Sequence, residues 1–212
     1  MFYETRARNK SLLPHDPFKA IVAPRPIGWI STRATDGRIN LAPYSFFNGF
    51  SSVPPIVGFS SEGFKDSATF AAESGEFVFN LASFDLMRPM SETSAPLPRG
   101  VSEFEHAGLT MAECRLVKAP RVAEAHASME CKVSEVVRLK GFKGETLDNY
   151  LVIGEVVAFH IDEAFIKNGR FDTAGARPLA RCGYQDYAFV ETLIALARPA
   201  GAGGKGRPSK WV

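Results

Sequence analysis

The chain contains little cysteine, and its few thiols are not spaced for a structural role. It has three cysteines in 212 residues, Cys114, Cys131 and Cys182. The number is odd and no CxxC pair occurs, which disfavours both a disulfide framework and a structural zinc site. The thiols are therefore expected to be reduced, as in a cytoplasmic protein.

The patterns of several common enzyme classes are also missing. The four histidines, His15, His106, His126 and His160, are scattered and form no HExxH pair, so no metal site is predicted. His160 lies in an apolar run and is interpreted as a structural histidine. The sequence holds no GxSxG, which disfavours a serine hydrolase. No GxGxxG follows a first strand, which disfavours a Rossmann domain.

Neither concentrated charge nor a long apolar segment is present. The formal net charge is +2, and the only basic cluster is the glycine-rich stretch 201–212. A nucleic-acid partner is therefore not expected. No run approaches the about 20 apolar residues of a membrane span, and the N-terminus lacks the apolar core of a signal peptide. We expect a cytoplasmic protein with no membrane partner.

The composition is that of one ordinary globular domain. Hydrophobic residues make up 45% and charged residues 23% of the chain. No composition break or internal repeat divides the sequence. We therefore predict a single domain over 1–198, followed by a flexible tail at 199–212.

Strand-like runs dominate the sequence, and most are separated by turn residues. Asp36-Gly37 between two such runs predicts a hairpin. In the run 127–140, apolar residues alternate with Glu130, Lys132 and Ser134, which predicts a half-buried strand with these three side chains facing solvent. The predicted strands cover 18–23, 27–34, 39–45, 55–60, 76–83, 127–140 and 150–162.

The predicted helices are few and short. One is capped by Asp66 and ends at Gly75. The others are a stretch at 85–95 interrupted by Pro89, a short helix around Ser102–His106, and a helix across Asp186–Ala197. Hairpin-ordered strands with few helices predict an antiparallel barrel rather than a doubly wound sheet.

The segment 24–67 carries the residues best suited to a phosphorylated ring ligand. A lysine, a hydroxyl and a helix start together make an anion site, and they occur as Lys65-Asp66-Ser67. Taken alone, this motif is better explained by a surface loop followed by an Asp-capped helix. Ser31 and Thr32, at the end of a strand, either reach a phosphate or simply end the strand.

The same segment offers polar and aromatic groups for the rest of such a ligand. Asn48, Ser51 and Ser52 can bond a polyol chain or phosphate, and otherwise form a loop. The aromatic side chains can stack on a ring, although burial in the core is their commoner fate. These aromatic residues are Tyr44, Phe46, Phe47 and Phe50.

An ordered set of motifs resembles one known family. The runs RPIGWIST (25–32), NLAPYSFFNGFSSVPPIVGFS (40–60) and KDSATFAAESGEFVFNLAS (65–83) resemble the flavin reductase-like, FMN-binding split-barrel family, in its flavoredoxin-type branch. The match continues through TSAPLPRGVSEFEHAGLT (93–110) and RPLARCGY (177–184). Each motif is weak by itself, but together they cover nearly the whole chain in order.

The resemblance implies a fold, a cofactor and a set of site residues. The fold is a six-stranded antiparallel Greek-key split barrel that forms a homodimer with FMN near the interface. The segment Ala42-Pro43-Tyr44-Ser45-Phe46 would follow the flavin ring. Asn48, Ser51 and Ser52 would lie near the ribityl chain or phosphate, and Lys65, Asp66 and Ser67 at the phosphate. The turn residues Arg181, Gly183 and Tyr184 would complete the site.

Two positions depart from the family pattern. Members often carry threonine where Ser67 stands, and the hydroxyl is kept. Many carry RLGG where this chain has Arg181-Cys182-Gly183-Tyr184, which leaves the contacts of that turn open.

The activity implied is that of an oxidoreductase in which the flavin carries the chemistry. The expected reaction is hydride transfer from NADH or NADPH to flavin, followed by electron transfer to an acceptor. Two alternatives stay open: a non-catalytic flavin- or haem-binding carrier or sensor, and a flavoredoxin-like electron carrier. A pyridoxamine phosphate oxidase-type enzyme on the same barrel ranks lower.

Overall fold

Antiparallel strands dominate the computed structural model, which describes residues 1–97 and 101–196. The strands are β1 Arg25–Pro26, β2 Gly28–Arg33, β3 Ile39–Tyr44, β4 Phe47–Ser52, β5 Pro55–Glu62, β6 Glu76–Leu81, β7 Met111–Ala112, β8 Arg121–Val122, β9 Ala127–Lys140, β10 Thr146–Ile161, β11 Ile166–Lys167, β12 Arg170–Phe171, β13 Leu179–Gly183 and β14 Asp186–Phe189. The α-helices are α1 Phe18–Ile21, α2 Asp66–Ser74, α3 Met87–Glu92, α4 Glu103–His106 and α5 Thr173–Ala176, with 3-10 helices at Phe84–Leu86 and Glu163–Phe165. The predicted tail at 199–212 lies outside the described residues.

Seven strands form one curled antiparallel sheet in the order β3-β2-β6-β9-β10-β5-β4. The curl brings its two ends together, since the ring of Tyr44 on β3 lies 4.7 Å from that of Phe59 on β5. The mainly β barrel class with short helices is confirmed. The sheet has seven strands where six were predicted. It includes the edge strand β4, which was not among the predicted strands.

The barrel is packed on both sides of β2. All but the last residue of β2 are buried, as expected for a strand covered on both faces. Trp29 belongs to one apolar cluster with Leu41 and Phe104, whereas Ile30 belongs to a second cluster that includes Ala68 and Ala71 of α2. This packing holds α2 against the sheet with its first turn beside β3.

The prediction of a strand at 18–23 is wrong. Phe18–Ile21 forms α1 instead, since the N–H of Phe18 donates to Asp16 and the N–H groups of Ala20 and Ile21 donate to Pro17. The apolar run therefore begins directly after an Asp-Pro helix start, which outweighs its β-type residues. The helix lies against β13 rather than in the sheet.

The prediction of a helix across Asp186–Ala197 is also wrong within the described part of that range. Asp186–Phe189 forms β14 and pairs with β13, with Arg181 opposite Tyr187. Tyr187 and Phe189 alternate with exposed residues, and both pack against the core. Cross-strand pairing at this turn therefore outweighs helix propensity.

The helices α2 and α3 each differ from the prediction in one detail. Lys65, not Asp66, occupies the N-cap position of α2, and Asp66 is its first residue. Gly75 ends the helix in the left-handed conformation, as predicted. Pro89 does not interrupt α3, because it lies in the first turn, where a missing N–H costs no helical bond.

The predicted exposure of Glu130 is wrong. Glu130 is 0% exposed, although Lys132 and Ser134 on the same strand do face solvent. Its carboxylate accepts the backbone N–H groups of Arg115, Leu116 and Val117. The loop that follows β7 packs over this end of β9. The alternation of residues within a strand does not show whether another segment packs over it.

Candidate functional site

Two adjoining cavities lie beside the end of β3. The first has a volume of about 510 Å³ and the second about 280 Å³. They share Pro43 and Ser94 as lining residues, so these two residues lie between the cavities. The first is lined by Asn40, Ala42, Pro43, Tyr44, Lys65, Asp66, Ser67, Thr93, Ser94, Ala95, Pro96, Leu97 and Glu103. The second is lined by Lys19, Arg25, Ile27, Pro43, Ser45, Ser91, Ser94, Arg181, Gly183, Tyr184 and Tyr187.

The first turn of α2 gives the first cavity an anion-binding end. Lys65 at the N-cap is extended, and no side chain caps the helix. The backbone N–H groups of the first turn have no intrahelical partner, and the positive end of the helix dipole lies there. Lys65 lines the same cavity and adds a full positive charge. This combination suits a phosphate group.

Ser67 is held in place for a similar role. It is 1% exposed, and its Oγ accepts a 2.6 Å hydrogen bond from Nδ2 of Asn40. A hydroxyl that accepts one bond still has its own hydrogen to donate. The sequence analysis did not include Asn40, which lies on β3 opposite Thr32.

Two acids also line the first cavity. Glu103, at the start of α4, accepts the backbone N–H of Leu41 at 3.3 Å. Burial raises the pKa of Glu103, and the negative charge of Asp66 acts in the same direction. Protonation of Glu103 therefore removes one negative charge from a cavity that otherwise suits an anion.

Close packing of two backbone segments shapes the second cavity. Gly183 has a φ of +97°, and a Cβ built there would lie 2.7 Å from Cα of Ala20 in α1. Only glycine fits this approach without displacing the helix. The guanidinium of Arg181 donates to the carbonyl of Tyr184 and lies over the ring of Tyr187, 4.4 Å from its centroid.

The structure brings ten of the sixteen sequence-predicted site residues to the two cavities. They come from three separate parts of the chain: β3 and its end, the start of α2, and the turn after β13. The ten are Ala42, Pro43, Tyr44, Ser45, Lys65, Asp66, Ser67, Arg181, Gly183 and Tyr184.

Ser31 and Thr32, two of the predicted cofactor-binding residues, do not line the two cavities. Both are 0% exposed within β2. The Ser31 hydroxyl donates to the carbonyl of Pro120 and accepts from Nδ2 of Asn80. Both residues lie in β2, between β3 and β6, and α2 packs against the same strand.

Four further predicted residues also lie outside the cavities. Phe46 is 40% exposed and stacks on Phe18 of α1, with ring centroids 6.4 Å apart. Asn48, Ser51 and Ser52 lie on the exposed edge strand β4. In this single chain they contribute nothing to either cavity.

The sequence analysis missed one wall of each cavity. Thr93–Leu97 closes the first, and Trp29 fixes its position by donating from Nε1 to Oγ1 of Thr93 at 3.0 Å. Lys19 and Arg25 were missed in the second. The run of Ser, Thr and Pro at 93–96 was a signal for a ligand-lining loop, whereas no local pattern distinguished Lys19 or Arg25.

Comparison with known proteins identifies the family. Residues 22–176 match the model of the flavin reductase-like domain. The chain belongs to the flavin reductase-like family. The uncharacterized protein BH2278 of Halalkalibacterium halodurans is 35% identical over 183 residues, which cover 84% of this chain and 87% of that protein.

Solved structures of flavin reductase-like proteins share the fold. Nitrilotriacetate monooxygenase component B from Bacillus cereus superimposes with a TM-score of 0.83 at 30% identity, covering 92% of this chain and 98% of that chain. Flavoredoxin of Desulfovibrio vulgaris (Miyazaki F) gives a TM-score of 0.75 at 22% identity, covering 95% and 100%. Membership of the flavin reductase-like family implies flavin binding and oxidoreductase activity.

A separate cluster of possible metal ligands lies away from the two cavities. Ligand atoms of Cys114, Glu130 and His160 lie within 4.8 Å of one another. Burial and the charge of Glu130 raise the pKa of the Cys114 thiol to about 12, so the thiol stays protonated. Both oxygens of Glu130 already accept backbone N–H groups, and His160 lies 2.6 Å from one of them. We therefore interpret the cluster, including His160, as structural.

No helix in the described residues has the length and apolar character needed to cross a membrane.

Proposed function

We propose that this chain binds FMN and catalyses hydride transfer from a reduced nicotinamide nucleotide to the flavin, which passes electrons on to an acceptor. One observation carries the proposal: the first cavity is lined both by an uncapped helix start with Lys65 and by Asn40, Ala42, Pro43 and Tyr44 of β3. FMN has a phosphate for the first feature and a flat ring for the second. When bound, the flavin supplies the redox chemistry.

The chain's own residues bind and orient the cofactor. Lys65, Ser67 and the first-turn N–H groups of α2 would hold the phosphate. Ala42, Pro43 and Tyr44 would border the ribityl chain and the flavin ring. The ring of Phe59 packs against Tyr44 and keeps it in place. No described side chain in the cavities needs to act as acid or base, because hydride transfer depends on orientation and distance.

The site in one chain is open on one side, which fits a homodimer. Phe50 on the edge strand β4 is 56% exposed, and Val53, directly after this strand, is 54% exposed. A dimer through this edge would cover them and bring Asn48, Ser51 and Ser52 to a partner molecule. We propose such a homodimer in the cytoplasm, with small-molecule electron donors and acceptors as the other partners.

The direct test is to purify the protein, record its visible spectrum and titrate the apoprotein with FMN. We expect flavin absorbance that NADH or NADPH bleaches under anaerobic conditions. A protein that binds no FMN would disprove the proposal. A protein that binds FMN and is reduced by neither nucleotide would be a carrier or sensor instead of this enzyme.

Lys65→Ala tests the phosphate assignment. We expect FMN affinity to fall by about tenfold or more, because a charge-assisted hydrogen bond to a phosphate is lost. Riboflavin affinity should change little, since riboflavin has no phosphate. Lys140→Ala, at an exposed strand end, is the matched control. Equal loss for FMN and riboflavin would remove Lys65 from the phosphate site.

A further inference from the structure

The second cavity contains an uncompensated cluster of positive charge. Three cations line it, Lys19, Arg25 and Arg181, and no acidic residue does. None of the three forms a salt bridge within the described residues. The other polar side chains that line it are hydroxyls, those of Ser45, Ser91, Ser94, Tyr184 and Tyr187.

Arg25 is the most unusual member of this cluster. It is 6% exposed, and its Nε and Nη2 have no hydrogen-bond partner among the described residues. Its Nη1 donates to the carbonyls of Lys19 and Val22 at the end of α1. That structural role accounts for one nitrogen only. A buried guanidinium without a counterion is costly unless an anion accompanies it.

Strand pairing places two of the cations against each other. Arg25 of β1 is the direct partner of Arg181 of β13. Like charges directly opposite each other destabilise an antiparallel pair. Aromatic faces near them, Phe46 for Lys19 and Arg25 and Tyr187 for Arg181, stabilise the cations without neutralising them. The arrangement is therefore explained best by a bound anion.

We propose that Lys19, Arg25 and Arg181 form a subsite for the pyrophosphate or phosphate of the dinucleotide electron donor. The inference rests on the proposed function. The flavin phosphate is assigned to Lys65 in the first cavity, which leaves the second cavity for a different anion. A volume of about 280 Å³ lies below the usual range for a whole ligand, so it fits one phosphate-bearing part.

The test uses the full chain and two probes. Inorganic pyrophosphate is titrated into apoprotein, and ADP-ribose, which cannot donate hydride, is titrated into FMN-loaded protein, both by calorimetry. Lys19→Gln and Arg181→Gln should each weaken both probes by about tenfold, because each removes one charged donor. In Lys19→Gln, FMN affinity should change by less than about threefold, because Lys19 is not among the residues assigned to the flavin. Arg170→Gln, at an exposed position on β12, is the matched control and should change nothing.

Three results would overturn the proposal. The first is pyrophosphate that does not bind, or binds equally well to both variants and the control. The second is an equal loss of FMN affinity, which would assign the cations to the flavin phosphate. The third is binding of pyrophosphate without ADP-ribose, which would indicate a site for inorganic anions.

The design separates this proposal from the preceding one. The apoprotein titration with pyrophosphate tests the subsite even if the protein binds no FMN. Lys19 is exposed, so Lys19→Gln decides the question if substitution of Arg181 disturbs the fold. Arg25→Lys keeps the buried charge and should retain pyrophosphate binding better than Arg181→Gln.

Discussion

Single side chains give the two cavities different charge. Lys65 in the first cavity is accompanied by Asp66 and Glu103, whereas the second cavity has three cations and no acid. The pKa of Glu103 is raised, chiefly by burial. Its ionisation state therefore changes the electrostatics of the first cavity over a pH range above the ordinary carboxyl range.

Glu103→Gln is expected to tighten FMN binding at pH 8 by about two- to fivefold, a range typical of partly exposed charge pairs. Wild-type affinity should fall as pH rises through the raised pKa of Glu103, because a second anion then faces the phosphate. In the variant, FMN affinity should no longer depend on the ionisation of Glu103. Only the ionisation of the FMN phosphate should then make the affinity vary with pH. Titration of both proteins from pH 4.5, the ordinary value of a glutamate, upward to pH 8 measures it.

Riboflavin provides the control for this comparison. It lacks the phosphate, so its affinity should be the same for both proteins at each pH. A response of riboflavin as large as that of FMN would mean that Glu103 acts on the ring or on the fold.

A second prediction concerns the buried carboxylate of Glu130. Burial raises its pKa, but the N–H groups of Arg115, Leu116 and Val117 and the His160 ring outweigh this, so the pKa lies below its ordinary value of 4.5. Glu130→Gln should destabilise the protein by about 2–4 kcal/mol, because the charged acceptor of a buried network is lost. Urea unfolding at pH 7 measures the difference.

The pH dependence follows from the lowered pKa. A group whose pKa is depressed by folding stabilises the native state above its unfolded value, and that stabilisation is lost as pH falls through the folded pKa. The wild type should therefore lose more stability than Glu130→Gln as pH falls below 4.5, the ordinary value of a glutamate. Equal losses in the two proteins would contradict this origin of acid sensitivity.

The position of α1 against β13 depends on one glycine. Gly183→Ala would place a methyl group against backbone atoms of Ala20, at 2.7 Å from Cα and 2.8 Å from N. Gly37→Ala is the matched control. Gly37 has a similar φ of +95°, but nothing lies within 4 Å of its added Cβ. Both substitutions strain the backbone, but only the first displaces a neighbouring element.

We expect Gly183→Ala to cost about 1–3 kcal/mol more than Gly37→Ala, the range found for overpacked sites. Denaturant unfolding of the two variants measures the difference. Displacement of α1 also moves Lys19, so pyrophosphate affinity should fall in Gly183→Ala and not in Gly37→Ala. Equal stability and equal affinity would show that α1 adapts without cost.

Individual elements were predictable where one local signal dominated. Asp36-Gly37 predicted the β2–β3 hairpin, and Gly37 is indeed in the left-handed region. Gly75 predicted the end of α2 for the same reason. The wrong assignments at 18–21 and 186–189 concern short apolar segments whose conformation depends on neighbours. In both segments, contact with β13 decides the conformation.

The molecule as a whole presents an uncovered sheet edge at β4. Exposed edge strands invite pairing with another chain unless charge or proline blocks them. β4 carries no charged residue, and Phe46, Phe50 and Val53 along and beside it are exposed. These features support the proposed homodimer.

Light scattering during size-exclusion chromatography should give a mass near twice 23.1 kDa. Val53→Asp should shift the population toward the monomer, because it places a charge in an apolar contact. Leu116→Asp, at a similarly exposed residue outside β4, is the control. A monomer in the wild type, or dissociation by Leu116→Asp alone, would contradict a dimer through β4.

The sequence determined the features that contiguous residues carry. Alternation and turn residues gave the mainly β class, and the order of motifs gave the family. Lys65 and Ser67 could be named as candidates because they stand at a predicted helix start, whereas the segment Ala42–Ser45 was assigned through the family resemblance.

Tertiary structure decided which distant segments meet and which polar groups are buried. It set Arg25 opposite Arg181, brought Thr93–Leu97 to the end of β3, and buried Ser31 and Glu130. These outcomes follow from sheet register and from packing between residues far apart in the chain. A local pattern cannot encode these outcomes. The same alternation is compatible with several strand registers and with different segments packed over the strand.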